Sequence, residues 1–308
     1  MTLLKDYSLF LLTKMVANGA VARRHLNIDF LLAISLALLA LCSAIILLLI
    51  FAFLVIEAWP VMDLSHGFAF LHDEGWYPLE NLFGMTPMIL GSMVITLLTM
   101  MLAVPLGLAS AIFMCFYAPR PIAKSFKLML NLLAGIPSVV FGLWGLTELV
   151  PLFAQWRPPG SSLLTASLVL ALMILPTVAL TSYTALTAVP IDIMAGASAL
   201  GMSRKGQVLS VALPAARTGI IGGSLLATAR ALGETMAVLM VAGNVVQIPT
   251  SLFDPIRTLT ANIALEMAYA TGEHRASLFA TGLLLTLTVM VLAWLANRTI
   301  QAPYTRKR

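Results

Sequence analysis

Charge is the scarcest ingredient of this chain. Asp, Glu, Lys and Arg make up 10% of its 308 residues, against roughly 25% in an average soluble domain, which excludes a water-soluble enzyme. The two cysteines, Cys42 and Cys115, sit in apolar runs, so neither a disulfide framework nor a thiolate metal site is indicated. Four scattered histidines, His25, His66, His72 and His274, make no ligand cluster. No GxxxxGK(S/T) loop is present to hold a nucleotide, and no Ser-His-Asp, Cys-His or paired-carboxylate arrangement stands out. Apolar surface, by contrast, is abundant. The chain is 60% hydrophobic, with a mean hydropathy of +0.97, the composition of a polytopic membrane protein with one transmembrane domain.

Hydropathy divides this all-α chain into six spans. They cover about Leu31–Ile56, Met88–Tyr117, Leu128–Phe153, Leu163–Leu186, Ala215–Gly243 and Ser277–Asn297, each near or above the ~20 residues a bilayer requires. Residues 1–30 form an N-terminal arm, 31–298 the transmembrane domain and 299–308 a basic tail. The first span reads as uncleaved, because it is too long, too far from Met1 and lacks a small-x-small site.

Lys and Arg set the orientation. They collect in the N-terminal arm, after span two (Arg120, Lys124, Lys127), after span four (Arg204, Lys205) and in the tail. Both termini and the loop after span four are therefore assigned to the cytoplasm. The net charge of +5 reflects this topology and contact with anionic lipid, with no need to invoke nucleic acid. The outer loop 57–87 carries Asp63, Asp73, Glu74 and Glu80, and its Trp59, Trp76 and Tyr77 suit an interfacial aromatic belt. Asp254, Glu266 and Glu273 in the later outer loop read as a solvated face.

Two charges break the pattern. Arg230 and Glu234 lie in the otherwise apolar stretch from Gly219 to Gly243, where an ionisable group costs at least ~2.5–3.5 kcal/mol. In one continuous helix their i,i+4 spacing puts them on one face, able to neutralise each other. They read either as a charged station on an anion path or as a structural ion pair joining two helices. Gly219, Gly223, Ala227 and Ala231 form a small-residue strip on nearly the same face, which turns the pair toward protein. Pro105 with Gly107, Pro137 with Gly135, and Pro176 are each expected to interrupt a span, as in a transporter.

The segment between spans four and five reads VPIDIMAGASALGMSRKGQVLSVALPAARTGIIGG. Pro190 opens a helix whose positive end Asp192 complements. Gly201 permits a turn, Ser203 caps the next helix, and Val208, Val211 and Leu213 give a short apolar face before Pro214. A helix–Gly–helix unit of this kind suits either docking into a groove on another protein or lying at the interface.

Ala195–Pro214 resembles the docking loop of ABC importer permeases, with Gly201 and Leu213-Pro214 in place but Ala195, Gly196 and Ala197 where the family has EAA. RALGETMAVLMVAGN from Arg230 to Asn244 and LAGIPSVVFGLWG from Leu133 to Gly145 are similar to the PstC-type permeases of phosphate-specific ABC importers, in order from about Trp59 to Asn297. That resemblance implies the type I ABC importer transmembrane fold, with a cytoplasmic coupling helix between spans four and five, in a bacterial inner membrane. It implies a second, PstA-type permease, a dimer of a PstB-type ATPase carrying ATP and Mg, and a PstS-type extracytoplasmic phosphate-binding protein. This chain itself carries neither cofactor nor catalytic residue in that scheme. Arg230 would contact phosphate through its fork of donors, and Glu234 would balance it when the path is empty. Thr235, Ser138 and Asn244 are weaker candidates for neutral hydrogen bonds along the path, and bonding to backbone carbonyls is the favoured reading for them. Ala195, Gly196, Ala197, Gly201, Ser203, Arg204, Leu213 and Pro214 would couple to the ATPase. Permeases for sulfate, molybdate or phosphonate, and an ion-coupled carrier or channel, remain as alternatives.

Overall fold

The computed structural model describes residues 3–61, 75–80 and 82–301. Two compact units divide at Ile56 and Glu57. The first lies within helix α1, Leu3–Ala58, which is unbroken from Leu3, so the helix extends through the segment read as an arm. Asp63, Asp73, Glu74 and the tail from residue 302 lie outside the described residues.

The second unit is helical around one short hairpin. β1 (Trp76–Tyr77) pairs antiparallel with β2 (Leu82–Phe83). The helices are α2 (Thr86–Ile112), α3 (Arg120–Ala134), α4 (Ser138–Trp144), α5 (Val150–Ala154), α6 (Leu163–Thr187), α7 (Ile191–Ala199), α8 (Arg204–Gly206), α9 (Leu213–Gly233), α10 (Met236–Val241), α11 (Leu259–Glu266) and α12 (Gly272–Gln301). π turns at Phe113–Tyr117, Gly145–Leu149 and Gln207–Ala212 extend α2, join α4 to α5 and join α8 to α9. Among the described residues five helices are long and apolar enough to cross a bilayer, and Arg120–Ala134 with Ser138–Ala154, bent by 90° on each other, bring the count to six if that pair forms one span.

Of the three expected proline interruptions only one occurs. Pro105 lies inside α2 and Pro176 inside α6, and both helices run through. These two helices pack on each other, and a Cβ on Gly107 would lie 2.8 Å from Val178. Tight packing holds the proline-bearing turns in helical form even though each lacks one backbone bond. At Gly135–Pro137 the chain does break, because Pro137 opens α4 in an extended conformation. A second break falls where none was expected, at Glu234–Thr235 between α9 and α10.

The core centres on α6. Val169, Leu170, Ile174 and Val178 are fully buried, with Ala103 of α2 and Ala227 and Ala231 of α9 packed into the same cluster. In a bilayer such contacts stabilise through close packing, since lipid tails are as apolar as the side chains. That is why small residues recur here: a Cβ on Gly219 would lie 2.6 Å from Ala185, and one on Gly223 would collide with Thr181. A smaller cluster of Trp76, Phe83, Met85, Met88, Leu259 and Leu278 joins the hairpin to α2, α11 and α12.

Candidate functional site

The break at Glu234 decides how the charged residues stand. α9 ends at Gly233, and Glu234 follows in an extended conformation with φ −71° and ψ 128°. The i,i+4 relation to Arg230 is therefore lost, and the two form no ion pair among the described residues. The Glu234 carboxylate instead accepts from the amide of Ala237 at 3.2 Å, satisfying an orphan donor at the start of α10. Its carbonyl accepts from the Thr260 hydroxyl at 2.9 Å.

Arg230 occupies the last turn of α9 and is exposed on the surface of the chain. The small-residue strip does not bury it within this chain. That strip packs on α6, as the close approaches of Gly219 and Gly223 record, while Arg230 is exposed in one stripe with Ala215 and Leu226. A groove of about 520 Å³ runs beside this stripe, walled by Thr181, Thr184 and Ala185 of α6 and by Gly219, Gly222 and Leu226 of α9. The cation thus stands at the helix end where the negative end of the backbone dipole favours it. Among the described residues no carboxylate is paired to it.

Ser138 is the first residue of α4 and half-buried. Gly142 faces Ala237 and Gly145 faces Val241, so α4 and α10 run parallel, and Ser138 and Glu234 sit at their corresponding ends. Thr235 donates to the Gly233 carbonyl at 3.3 Å. Asn244 lies beyond the other end of α10, where its side-chain amide donates to the Leu239 carbonyl at 2.7 Å and its φ is 57°. Both side chains bond to backbone carbonyls freed by helix ends.

The segment after α6 takes the expected shape. Pro190 opens α7 with Asp192 in its first turn, and Gly201 turns the chain at φ 73°. Ser203 then caps α8 by accepting from the amide of Gly206 at 3.2 Å. Ala197 is buried, while Ala195 and Gly196 are exposed. Pro214 does not begin a separate span, because helical structure is continuous from Arg204 to Gly233. The π turn ending at Ala212 widens the spiral just ahead of the proline, where its ring and missing N–H would conflict with a regular α-helix.

Sequence reasoning missed a polar cluster around Glu266. Glu266, read as part of a solvated face, is only 6% exposed, whereas Glu273 is exposed as expected. The Glu266 carboxylate accepts from Arg257 at 2.6 Å and from the Trp76 indole at 2.7 Å, and His274 lies 2.8 Å away. Trp76 is therefore buried against a carboxylate and takes no part in an aromatic belt, while Trp59 and Tyr77 are exposed. Arg257 also donates to the Asn244 carbonyl and to Asn262. An Arg in a largely apolar loop, nine residues before a Glu, was the signal the sequence offered. A buried carboxylate is stable with three such partners and costly without them.

Residues 103–302 match the family described as the binding-protein-dependent transport system inner membrane component. The chain is 37% identical over 260 residues to the phosphate transport system permease protein PstC of Mesorhizobium japonicum, covering 77% of this chain and 79% of that protein. It is 34% identical over 296 residues to PstC of Haemophilus influenzae, covering 88% and 94%. Against the probable ABC transporter permease protein YqgH of Bacillus subtilis it is 39% identical over 239 residues, covering 74% and 77%. Among solved structures, the inward-facing MetNI methionine ABC transporter superposes with a TM-score of 0.55 at 17% identity, covering 71% of this chain and 93% of that one.

Proposed function

The chain belongs to the binding-protein-dependent transport system inner membrane components, and on that premise we propose that it is the PstC-type permease subunit of an ATP-driven phosphate importer. It is a multi-pass membrane protein that supplies half of a translocation path. A related permease supplies the other half, two copies of a cytoplasmic ATPase drive it, and an extracytoplasmic binding protein delivers phosphate. The termini face the cytoplasm in this reading.

One observation carries the assignment of the path. It is an exposed guanidinium, paired with no carboxylate among the described residues, at the end of a helix whose preceding turns, as far as Leu226, wall a groove shared with Thr181 and Thr184 of α6. Phosphate is a tetrahedral oxyanion that must leave bulk water. Arg230 offers a permanent charge and paired donors for it. Because α10 holds the Glu234 carboxylate, that group does not neutralise Arg230, yet it lowers the local potential enough for the ion to leave again. Ser138 and Thr235 flank the same two helix breaks and supply neutral hydrogen bonds, with Asn244 farther along α10.

The other half of the mechanism is mechanical. Ala195, Gly196, Ala197 and Gly201 dock on the ATPase. The helical body beginning at Ser203 and Arg204 and passing through Leu213 and Pro214 carries their displacement to Arg230. Hydrolysis takes place on the partner.

Reconstituted complex carrying Arg230→Gln tests the reading, with assembly checked by co-purification of the second permease and ATPase. Loss of phosphate uptake with assembly intact is the expected result. Unchanged uptake would remove Arg230 from the path, and competition by sulfate or molybdate as effective as by phosphate would overturn the substrate.

A further inference from the structure

Thr260 is bonded to the residue on which Arg230's freedom depends. Its hydroxyl is buried, 6% exposed, and donates to the Glu234 carbonyl. The Thr258 hydroxyl lies 3.1 Å from it, and the amide of Ala261 donates to Thr258 in turn. The start of α11 is pinned to α2 as well, since the amide of Leu259 donates to Ser92 at 3.0 Å. At its far end α11 is held through Glu266 by Arg257, Trp76 and His274. The irregular backbone at Glu234 is thus fixed from outside its own helices, by an element anchored at both ends.

Without that anchor, the carboxylate four residues from Arg230 has a competing partner. Its bond to α10 is the one from Ala237 at 3.2 Å, and rotation of the break into helical conformation restores the i,i+4 approach to Arg230. We infer that Thr260 is a positioning residue for transport, which locks Glu234 in the extended conformation at the break and so keeps Arg230 unpaired and available to the anion. The inference rests on the proposed role of Arg230 in phosphate passage.

The test uses vesicles containing the whole importer and measures phosphate taken up per ATP hydrolysed. Thr260→Val keeps the shape and removes the hydroxyl, whereas Thr260→Ser keeps the hydroxyl. Thr260→Val is expected to lower the ratio about three- to tenfold, the range of one lost hydrogen bond, with ATP hydrolysis itself within about twofold. Thr260→Ser should restore the ratio. An unchanged ratio in Thr260→Val overturns the inference. So does a parallel fall of uptake and hydrolysis, which is the signature of a merely structural residue, or a Ser variant as impaired as Val. Arg230→Gln is run beside them: an unchanged ratio there removes the reading of Arg230, separately from a failure confined to Thr260.

Discussion

Gly142 lies against Ala237 so closely that a Cβ on the glycine would come within 2.9 Å of the Ala237 Cα. This contact joins α4 to α10, the segments that follow the two helix breaks. Replacing Gly142 with Val inserts bulk where backbone cannot recede, at a cost of about 1–3 kcal/mol. The variant is expected to lower the thermal midpoint of the purified permease pair, as followed by fluorescence-detected size exclusion. A midpoint equal to wild type would show that the two segments separate freely.

Glu266 unites three partners, so removing it and removing its network are different perturbations. Glu266→Ala leaves the Arg257 charge half-buried and the Trp76 indole without an acceptor, and is expected to destabilise by about 3–5 kcal/mol. The double variant Arg257→Met with Glu266→Met should destabilise less, because no charge is stranded. Chemical or thermal unfolding of the two variants measures the difference, and the opposite order would contradict the geometry.

Gly201 is in the left-handed region, and a Cβ there meets nothing within 4 Å. Within this chain its requirement is therefore one of backbone conformation. Asn tolerates that region and a β-branched residue does not, with a penalty of about 1–3 kcal/mol. Gly201→Asn should support phosphate uptake near the wild-type rate, and Gly201→Val should reduce uptake at equal membrane abundance. Equal uptake by both would argue against a fixed turn.

Asp254 organises the turn before α11. Its carboxylate accepts from the amides of Ser251 and Thr250 and from the Thr250 hydroxyl, and those bonds, the Ser251 amide foremost, hold its pKa below the ordinary carboxylate value. A depressed folded-state pKa stabilises the turn above the unfolded-state value, and that contribution disappears as pH falls through the folded one. Amide exchange of a peptide covering residues 248–256 should accelerate relative to its intrinsic rate on acidification through that window. Asp254→Asn should abolish the pH response while raising exchange at neutral pH.

Much of this fold was legible in the sequence. α6 lies at Leu163–Thr187 and α2 begins at Thr86, where hydropathy places spans, because long apolar runs in lipid have few alternatives to helix. The turn at Gly201 and the cap at Ser203 were equally readable, being set by local chemistry. The break at Glu234 was only partly so. Gly233 after a basic last turn, followed by Thr235 and a new apolar run, is a stop-and-start signal, but it is masked by apolar residues on both sides. Pro105 and Pro176 misled in the other direction, since their tolerance depends on the neighbouring helix. The Glu266 cluster was beyond sequence, because Trp76 and Glu266 are 190 positions apart and only the folded chain makes them neighbours.

The π turn at Gln207–Ala212 has a consequence for angular register. A regular helix advances about 100° per residue, and one extra residue in a turn rotates everything beyond it by that amount. The azimuth at which Arg230 leaves the bundle is thus set, relative to the segment around Gly201, by a single inserted position several turns upstream. Excising one residue from the turn would preserve composition, hydropathy and the length of span almost unchanged while pointing the guanidinium at a different neighbour. Point substitutions can change the chemistry at the end of α9, but the direction in which that chemistry points is a matter of counting.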